Sequence, residues 1–489
     1  MARRVPHAQT LRLYIGGRWV EGAQGRVVEL RSPATGGLLA EVAQAEPEDV
    51  RAAVVAAQEA TGQAARLSVW DRARLCHRVA DQIEARADEL ARELSEEQGK
   101  PYLSEALPEV HKTVEGFRLA AEEAKRLNGE VIPAEDSHKR VITIRQPRGV
   151  YAVITPWNFP MNIPTEYLAP ALATGNTVVW KPSSYTVRCA ARLVECMEAA
   201  EVPPGIVNLV YGPGSTVGHA LVTHPVVVGI AVTGDANTGE VIAGEAAGKR
   251  LLLELGGNGP VVILDDANLE AAARCVSAGS FLNAGQVCSA SERILVAQAV
   301  HAPFREAMVA AASAVRLGNP LDETTTMGPM NNRATAEKMD RHLQDARTKG
   351  AQVVAGGSRA SGFPTDLFYE PTILDNVQAD MLVFQEETFG PIVPLTEVRD
   401  DVEALELANR TSMGLVASVF TTNLRRAFFF AEGLQAGTVV VNDASTYWEL
   451  HLPFGGRAGK RSGYGRLGGK HTLMEMTDLK TIAIDLHNA

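Results

Sequence analysis

The chain has 489 residues, of which 46% are hydrophobic and 21% charged, and its formal net charge is −11. That length holds two or three domains and a large core, while the acidic balance argues against a nucleic-acid partner, which would need a basic face. No run of about 18 apolar residues occurs to cross a bilayer, and Arg3 and Arg4 lack the apolar stretch that follows in a secretory signal, so a cytoplasmic protein without membrane contact is expected.

In chain order, residues 11–31 alternate short apolar runs with Gly and Arg and predict an opening hairpin. From 47 to 125 the pattern is helical. Ala52, Val55, Ala56 and Ala60 fall on one predicted face, and Val79, Ile83, Ala87 and Leu90 on another. The acidic cluster at 46–49 reads as a helix start, and 117–127 ends a further helix. Val131-Ile132 and Val141-Ile142-Thr143-Ile144 then flank a charged turn. After Gly149, strands at 150–154, 177–180, 207–210, 228–232 and 251–253 alternate with helices such as 187–200 and 238–247. That rhythm predicts a parallel, doubly wound sheet. A second α/β unit runs from near Val261 to about Leu452, and 479–486 is a strand candidate without a local partner.

The five cysteines are Cys76, Cys189, Cys196, Cys275 and Cys288, with no C-x-x-C pair, which suits reduced thiols. The first four sit in helical segments and read as packing residues. Cys288 lies among small and flexible residues in Phe281-Leu282-Asn283-Ala284-Gly285-Gln286-Val287-Cys288-Ser289. A lone cysteine reads first as a small core residue. Its company points elsewhere: Leu251-Leu252-Leu253-Glu254-Leu255-Gly256-Gly257-Asn258 and Thr155-Pro156-Trp157-Asn158-Phe159-Pro160 both precede it. The histidines His111, His219, His224, His342 and His451 show no ligand spacing, so no metal site is expected.

With these motifs the chain resembles the NAD(P)-dependent aldehyde dehydrogenase superfamily over nearly its whole length. The resemblance implies an α/β protein with a Rossmann-like doubly wound cofactor domain (1–128 plus 148–256), a catalytic α/β domain (257–452) and a small β bridging domain (129–147 plus 470–489). The bridging hairpin would join subunits into a homodimer or homotetramer. The implied reaction oxidises an aldehyde to a carboxylic acid. Cys288 would be the nucleophile, forming a thiohemiacetal and then a thioester. Asn158, with the backbone N–H of Cys288, would hold the oxyanion. Glu254, at the end of an apolar strand, would be the base that activates water, its pKa raised by burial.

The cofactor implied is NAD or NADP. Lys181, in Trp180-Lys181-Pro182-Ser183-Ser184, matches the lysine on the adenosine ribose. Ser184 stands where NAD-preferring members carry a glutamate; a serine does not repel a 2′-phosphate, so dual use or NADP preference is expected. Glu387 and Phe389, in Glu386-Glu387-Thr388-Phe389-Gly390-Pro391, match the pair at the nicotinamide end, and Trp157 and Gly234 belong to further cofactor-facing motifs. Asp235 replaces a serine that meets the pyrophosphate in relatives; as an anion it would repel phosphate unless it turns away to cap the following helix.

Val287 and Ser289 should wall the substrate pocket. Tyr447 and Trp448 lie in the loop that commonly lines it and could stack on an aromatic aldehyde, or serve as ordinary packing. The loop after Gly456 is about two residues longer than is usual for the family and would adjoin the substrate mouth. An aromatic aldehyde is therefore the expected substrate. A semialdehyde dehydrogenase for an anionic substrate is the alternative, with Arg118 as the one cation named for its carboxylate. A CoA-acylating relative is opposed by Glu254, and a non-catalytic binding protein by the intact Cys288, Asn158 and Glu254.

Overall fold

The computed structural model describes residues 10–487. Arg3 and Arg4 lie outside them, as do residues 488 and 489 of the segment assigned to the bridging domain. The first large sheet has eight strands, in the spatial order Gly463–Tyr464, Arg250–Leu255, Val227–Gly234, Val150–Ile154, Thr177–Lys181, Val207–Leu209, Leu13–Ile15 and Arg18–Val20. The middle five are mutually parallel. They are buried on both faces, which is why their sequences are nearly continuous apolar runs. The opening hairpin is present and adds the antiparallel edge Leu13–Ile15 with Arg18–Val20.

The second large sheet has seven strands, ordered Gln352–Ala355, Thr372–Asp375, Ile392–Val398, Ser291–Ala297, Gly259–Ile263, Val416–Phe420 and Thr438–Val441. All its neighbours are parallel except the first pair. Each sheet has its own apolar core. The strand Thr477–Asp485 finds its partner far back in the chain, pairing antiparallel with Lys139–Pro147 from Thr477 opposite Pro147 to Asp485 opposite Lys139. Val131–Ile132 completes that small sheet.

Three features differ from expectation. In the helix Pro47–Arg66 the buried residues are Val50, Ala53, Val54, Ala57, Ala60 and Ala64, while Ala52 and Val55 face solvent. That helix is alanine-rich almost all round, so the apolar stripe is poorly marked in sequence. A second small sheet, Thr10–Leu11, Leu38–Ala43 and Val27–Arg31, was not read from the sequence. Finally, the two-residue strand Gly463–Tyr464 returns to the first sheet and pairs with Leu253 and Glu254. Gly463 has φ 111, and a Cβ there would stand 1.9 Å from the Leu253 carbonyl oxygen, so only glycine permits this approach.

Candidate active site

In a doubly wound sheet the crevice lies at the carboxyl ends of the parallel strands. Here those ends carry Thr155 to Asn158, Lys181, Thr233 with Gly234, and Glu254. Facing them are segments that lead into two strands of the second sheet: Val287 to Ser289 before Ser291–Ala297, and Glu387 to Phe389 before Ile392–Val398. Two cavities meet between the sheets, and Cys288, Glu254 and Thr233 line both.

The first, of about 190 Å³, has aromatic and aliphatic walls that include Phe159, Ile163, Val287, Trp448 and Phe454. Ser289 lines it as expected, and so does Trp448. Tyr447 does not: it is 45% exposed and its hydroxyl donates to Glu449 at 2.9 Å. Adjacent side chains on this turn diverge, so only one of the two aromatics reaches the pocket. Arg118 is also absent from the wall. It lies on the outer surface, 41% exposed, paired with Asp81 and Glu84. The cation that does line the pocket is Lys112, near enough to Glu166 to act on its charge. Lys112 and Arg118 are on one helix, Leu107–Ala124, and at about 100° per residue Arg118 sits roughly 240° round from Lys112. Neither Lys112 nor Glu166 was found from sequence; for Lys112, helical spacing from Glu105, Pro108 and Glu109, which line the same pocket, was the available signal.

The second cavity, of about 370 Å³, is lined by Trp157, Asn158, Ser183, Gly234, Asp235, Lys338, Glu387 and Phe389, among others. Lys181 ends its strand close by as a buried ammonium whose hydrogen bond is to the Pro182 carbonyl at 3.3 Å, and burial lowers its pKa to about 8. An under-partnered buried cation suits the hydroxyls of a ribose. Ser184 is exposed two residues beyond Pro182. Asp235 accepts from the Thr238 backbone N–H at 3.0 Å and from the Thr238 hydroxyl, so it caps the helix Ala236–Glu245 as its residue type allows. The Glu387 carboxylate accepts from the Gly257 N–H at 2.9 Å. Burial, chiefly, and the nearby Glu292 raise its pKa to about 8. Phe389 stacks edge-on against Trp157 with ring centroids 5.6 Å apart. Its φ of 59 is a left-handed conformation uncommon outside glycine. Glu292, which sequence reasoning missed, holds that strained turn by accepting from the Thr388 and Phe389 N–H groups, both at 2.9 Å.

At the junction, Glu254 is buried and one of its carboxylate oxygens has no partner. Desolvation lifts its pKa to about 8, against the lowering effect of hydrogen bonds with Cys288 and Thr233. The Cys288 thiol is pushed well above its ordinary value, by burial first and then by Glu254 and Glu387. Asn158 is buried, and its amide Nδ2 donates to the Gln286 carbonyl at 3.1 Å, leaving its second N–H for another acceptor. Gly257 presses on the nucleophile's backbone, since a Cβ there would lie 2.1 Å from the Cys288 carbonyl oxygen. The long loop after Gly456 does not adjoin the substrate pocket. Arg461 pairs with Glu240 and Asn237 on the helix begun by Asp235, and the Ser462 hydroxyl donates to the Gly256 carbonyl at 2.7 Å. The loop braces the cofactor side instead.

A family model described as the aldehyde dehydrogenase family matches residues 19–482. The chain belongs to the aldehyde dehydrogenase family. Rice mitochondrial succinate-semialdehyde dehydrogenase (Oryza sativa subsp. japonica) is 38% identical over 96% of this chain and 88% of its own. The NADP(+) succinate-semialdehyde dehydrogenase of Escherichia coli K12 is 37% identical over 96% and 97%. Among solved structures, betaine aldehyde dehydrogenase from Staphylococcus aureus in complex with NAD+ aligns with a TM-score of 0.94 at 33% identity, over 98% of each chain. As an aldehyde dehydrogenase the protein is an oxidoreductase that uses NAD or NADP. No helix of the described residues is long and apolar enough to cross a membrane.

Proposed function

We propose that this aldehyde dehydrogenase converts a semialdehyde to a dicarboxylic acid through a covalent intermediate on Cys288. The observation that carries the covalent route is that Cys288 and Glu254 line both cavities. A thiol so placed can attack a carbonyl arriving from the apolar side, with the Cys288 proton passing to Glu254, its hydrogen-bond partner. The free amide N–H of Asn158 and the Cys288 backbone N–H would stabilise the oxyanion of the thiohemiacetal. Lys181, Glu387 and Phe389 would hold NAD or NADP, with Trp157, Gly234 and Ser184 contributing to the same cleft; when bound, the nicotinamide supplies the hydride acceptor. Once Glu254 has released the Cys288 proton to solvent, it takes a proton from the water that attacks the Cys288 thioester; the sulfur leaves as a thiolate, regains a proton from Glu254, and the acid departs.

The semialdehyde assignment rests on the relatives named above and on Lys112, which takes the place first given to Arg118. Glu166 opposes a carboxylate only when ionised; burial and the nearby Glu254 raise its pKa, against the lowering effect of Lys112, and so disfavour that charged form. Asn162 and Trp448 also line this pocket, and the Asn162 Oδ1 and Trp448 Nε1 are buried without partners. Polar groups left bare in an apolar wall favour a substrate with a polar end. An aromatic aldehyde is the second reading, favoured by Phe159, Trp448 and Phe454.

The 1–128 plus 148–256 and 257–452 segments are read as the cofactor and catalytic domains. The small sheet of 129–147 and 470–489 is read as the bridge of a homodimer or homotetramer, consistent with its exposed Leu479 and Ile484. The test compares kcat/KM for succinate semialdehyde, butyraldehyde and benzaldehyde, in the native enzyme and in Lys112→Met. Succinate semialdehyde should be preferred, with Lys112→Met raising its KM about tenfold and leaving butyraldehyde unchanged. A preference for benzaldehyde that Lys112→Met does not alter would overturn the semialdehyde assignment. Cys288→Ala should abolish nucleotide reduction with every substrate; retained turnover would end the covalent reading.

A further inference from the structure

Beneath the junction lies a buried polar cluster that none of the chemistry above uses. At its centre is Lys100, whose side chain is 0% exposed. Its ammonium donates to the backbone carbonyl of Asn158 at 2.8 Å and to Glu109 Oε2 at 2.6 Å, and it stands 3.8 Å from the centre of the Phe159 ring. The other Glu109 oxygen accepts from the Met161 and Asn162 N–H groups at 2.9 and 3.2 Å, the first turn of the helix Asn162–Thr174. The Asn158 carbonyl is therefore gripped from below, and the segment that follows it is tied to the same ion pair.

A second set of bonds links this grip to the nucleophile's loop. Asn283 Nδ2 donates to the same Asn158 carbonyl at 3.1 Å, and Asn283 Oδ1 accepts from Gln98 Nε2 at 2.8 Å. Gln98 is joined to the Lys100 backbone N–H at 2.8 Å. Asn283 and Ala284 both hold positive φ, of 49 and 54, so the turn that delivers Cys288 is strained as well as tethered. A buried ammonium is a costly way to fill space. Hydrophobic packing would do that better, whereas a charged donor can pin a carbonyl in one place.

We infer that Lys100 is a positioning residue for the oxidation: by fixing the Asn158 carbonyl it sets the distance between the Asn158 amide and the Cys288 sulfur, and hence the strength of the oxyanion site. This rests on Asn158 being an oxyanion donor. Misplacing a catalytic group by about 1 Å, or losing one oxyanion donor, each costs about a hundredfold in rate. Pairing Lys100→Met with Glu109→Gln removes the ammonium's hold together with its ion-pair partner and leaves the Asn283 bond to the same carbonyl in place; the melting temperature reads the effect of taking the cation away from the nearby buried Glu105.

The experiment measures kcat, the KM for NAD and for NADP, the rate of Cys288 alkylation by iodoacetamide, and the melting temperature. It does so in the native enzyme, in the pair Lys100→Met/Glu109→Gln, in Asn158→Ala, and in all three changes together. The pair should lose about a hundredfold in kcat, while cofactor KM and alkylation stay within about threefold of native. Added to Asn158→Ala it should cost little more, because both act through one amide. An equal further loss in that background, or an unchanged kcat in the pair, would overturn the inference. If Asn158→Ala itself keeps full kcat, the oxyanion reading fails first and the inference with it. Should the Met pair not fold, Lys100→Gln/Glu109→Gln supplies the second variant: it keeps one N–H donor, so its kcat should fall less than that of Asn158→Ala, and a loss as great as in Asn158→Ala would count against a role for that donor.

Discussion

Raising the pH from 7 to 9 should speed steady-state turnover by about tenfold. Burial of Glu254 raises its pKa to about 8, so about one molecule in ten carries the ionised base at pH 7 and about nine in ten at pH 9. A raised carboxyl supplies its base form only above the folded-state value, so hydrolysis of the thioester is lost as the pH falls through about 8. Release of the Cys288 proton moves in the same direction, and the two are separated by time. Rapid mixing with aldehyde and nucleotide reads thiol attack and hydride loss as a burst of reduced nicotinamide absorbance; the slope that follows reads hydrolysis. Glu254→Gln should keep a burst amplitude close to one equivalent per active site, formed more slowly because the thiol has lost its proton acceptor, and cut the slope by about 10²–10⁴, with its pH dependence gone. The same burial has a stability signature. The folded protein keeps a proton on Glu254 that the unfolded chain releases, so between the unfolded value of 4.5 and about 8 the native enzyme loses stability as pH rises. Glu254→Gln should therefore melt higher than native at pH 9 and close to it at pH 5. A native slope that is flat from pH 7 to 9, or a Glu254→Gln slope equal to native, would refute the assignment of Glu254 as the base.

Ser184→Glu places a carboxylate at an exposed position three residues after Lys181, the lysine proposed to meet the ribose, and should shift the NADP/NAD ratio of kcat/KM toward NAD by at least tenfold; an unchanged ratio would remove Ser184 from cofactor choice. Gly257→Ala would drive a methyl to 2.1 Å from the Cys288 carbonyl oxygen, so the nucleophile's backbone must move. Its kcat should fall about a hundredfold, and native-like alkylation and turnover in a folded variant would contradict the contact.

What could be read from sequence was what lies on short linear stretches. Glu254, Asn158 and Lys181 stand at the ends of apolar strands, where alternation of strand and helix already locates the crevice, and Cys288 was marked by the motifs around it. Asp235 was read as able to turn away and cap the following helix, as an aspartate at a helix start prefers, and it does cap it. The failures share a physical cause: the outcome depended on rotation about an element or on a partner distant in the chain. Lys112 and Arg118 differ only in which way one helix turns them, and Tyr447 and Trp448 differ in which way one turn splays them. The loop after Gly456 had its length noted, but its resting place was decided by Arg461 meeting Glu240 and by Ser462 meeting Gly256. Lys100 carries no motif that sets it apart; only the fold brings it under Asn158.

The meeting of two cavities at one sulfur also governs traffic. Under the proposed assignment, aldehyde and dinucleotide occupy different cavities that share Cys288, Glu254 and Thr233. On that assignment, a thiol-directed inhibitor of the substrate's shape would reach Cys288 from the apolar cavity without displacing the dinucleotide. Cys288, Glu254 and Thr233 together form the wall that the two proposed streams of small molecules share.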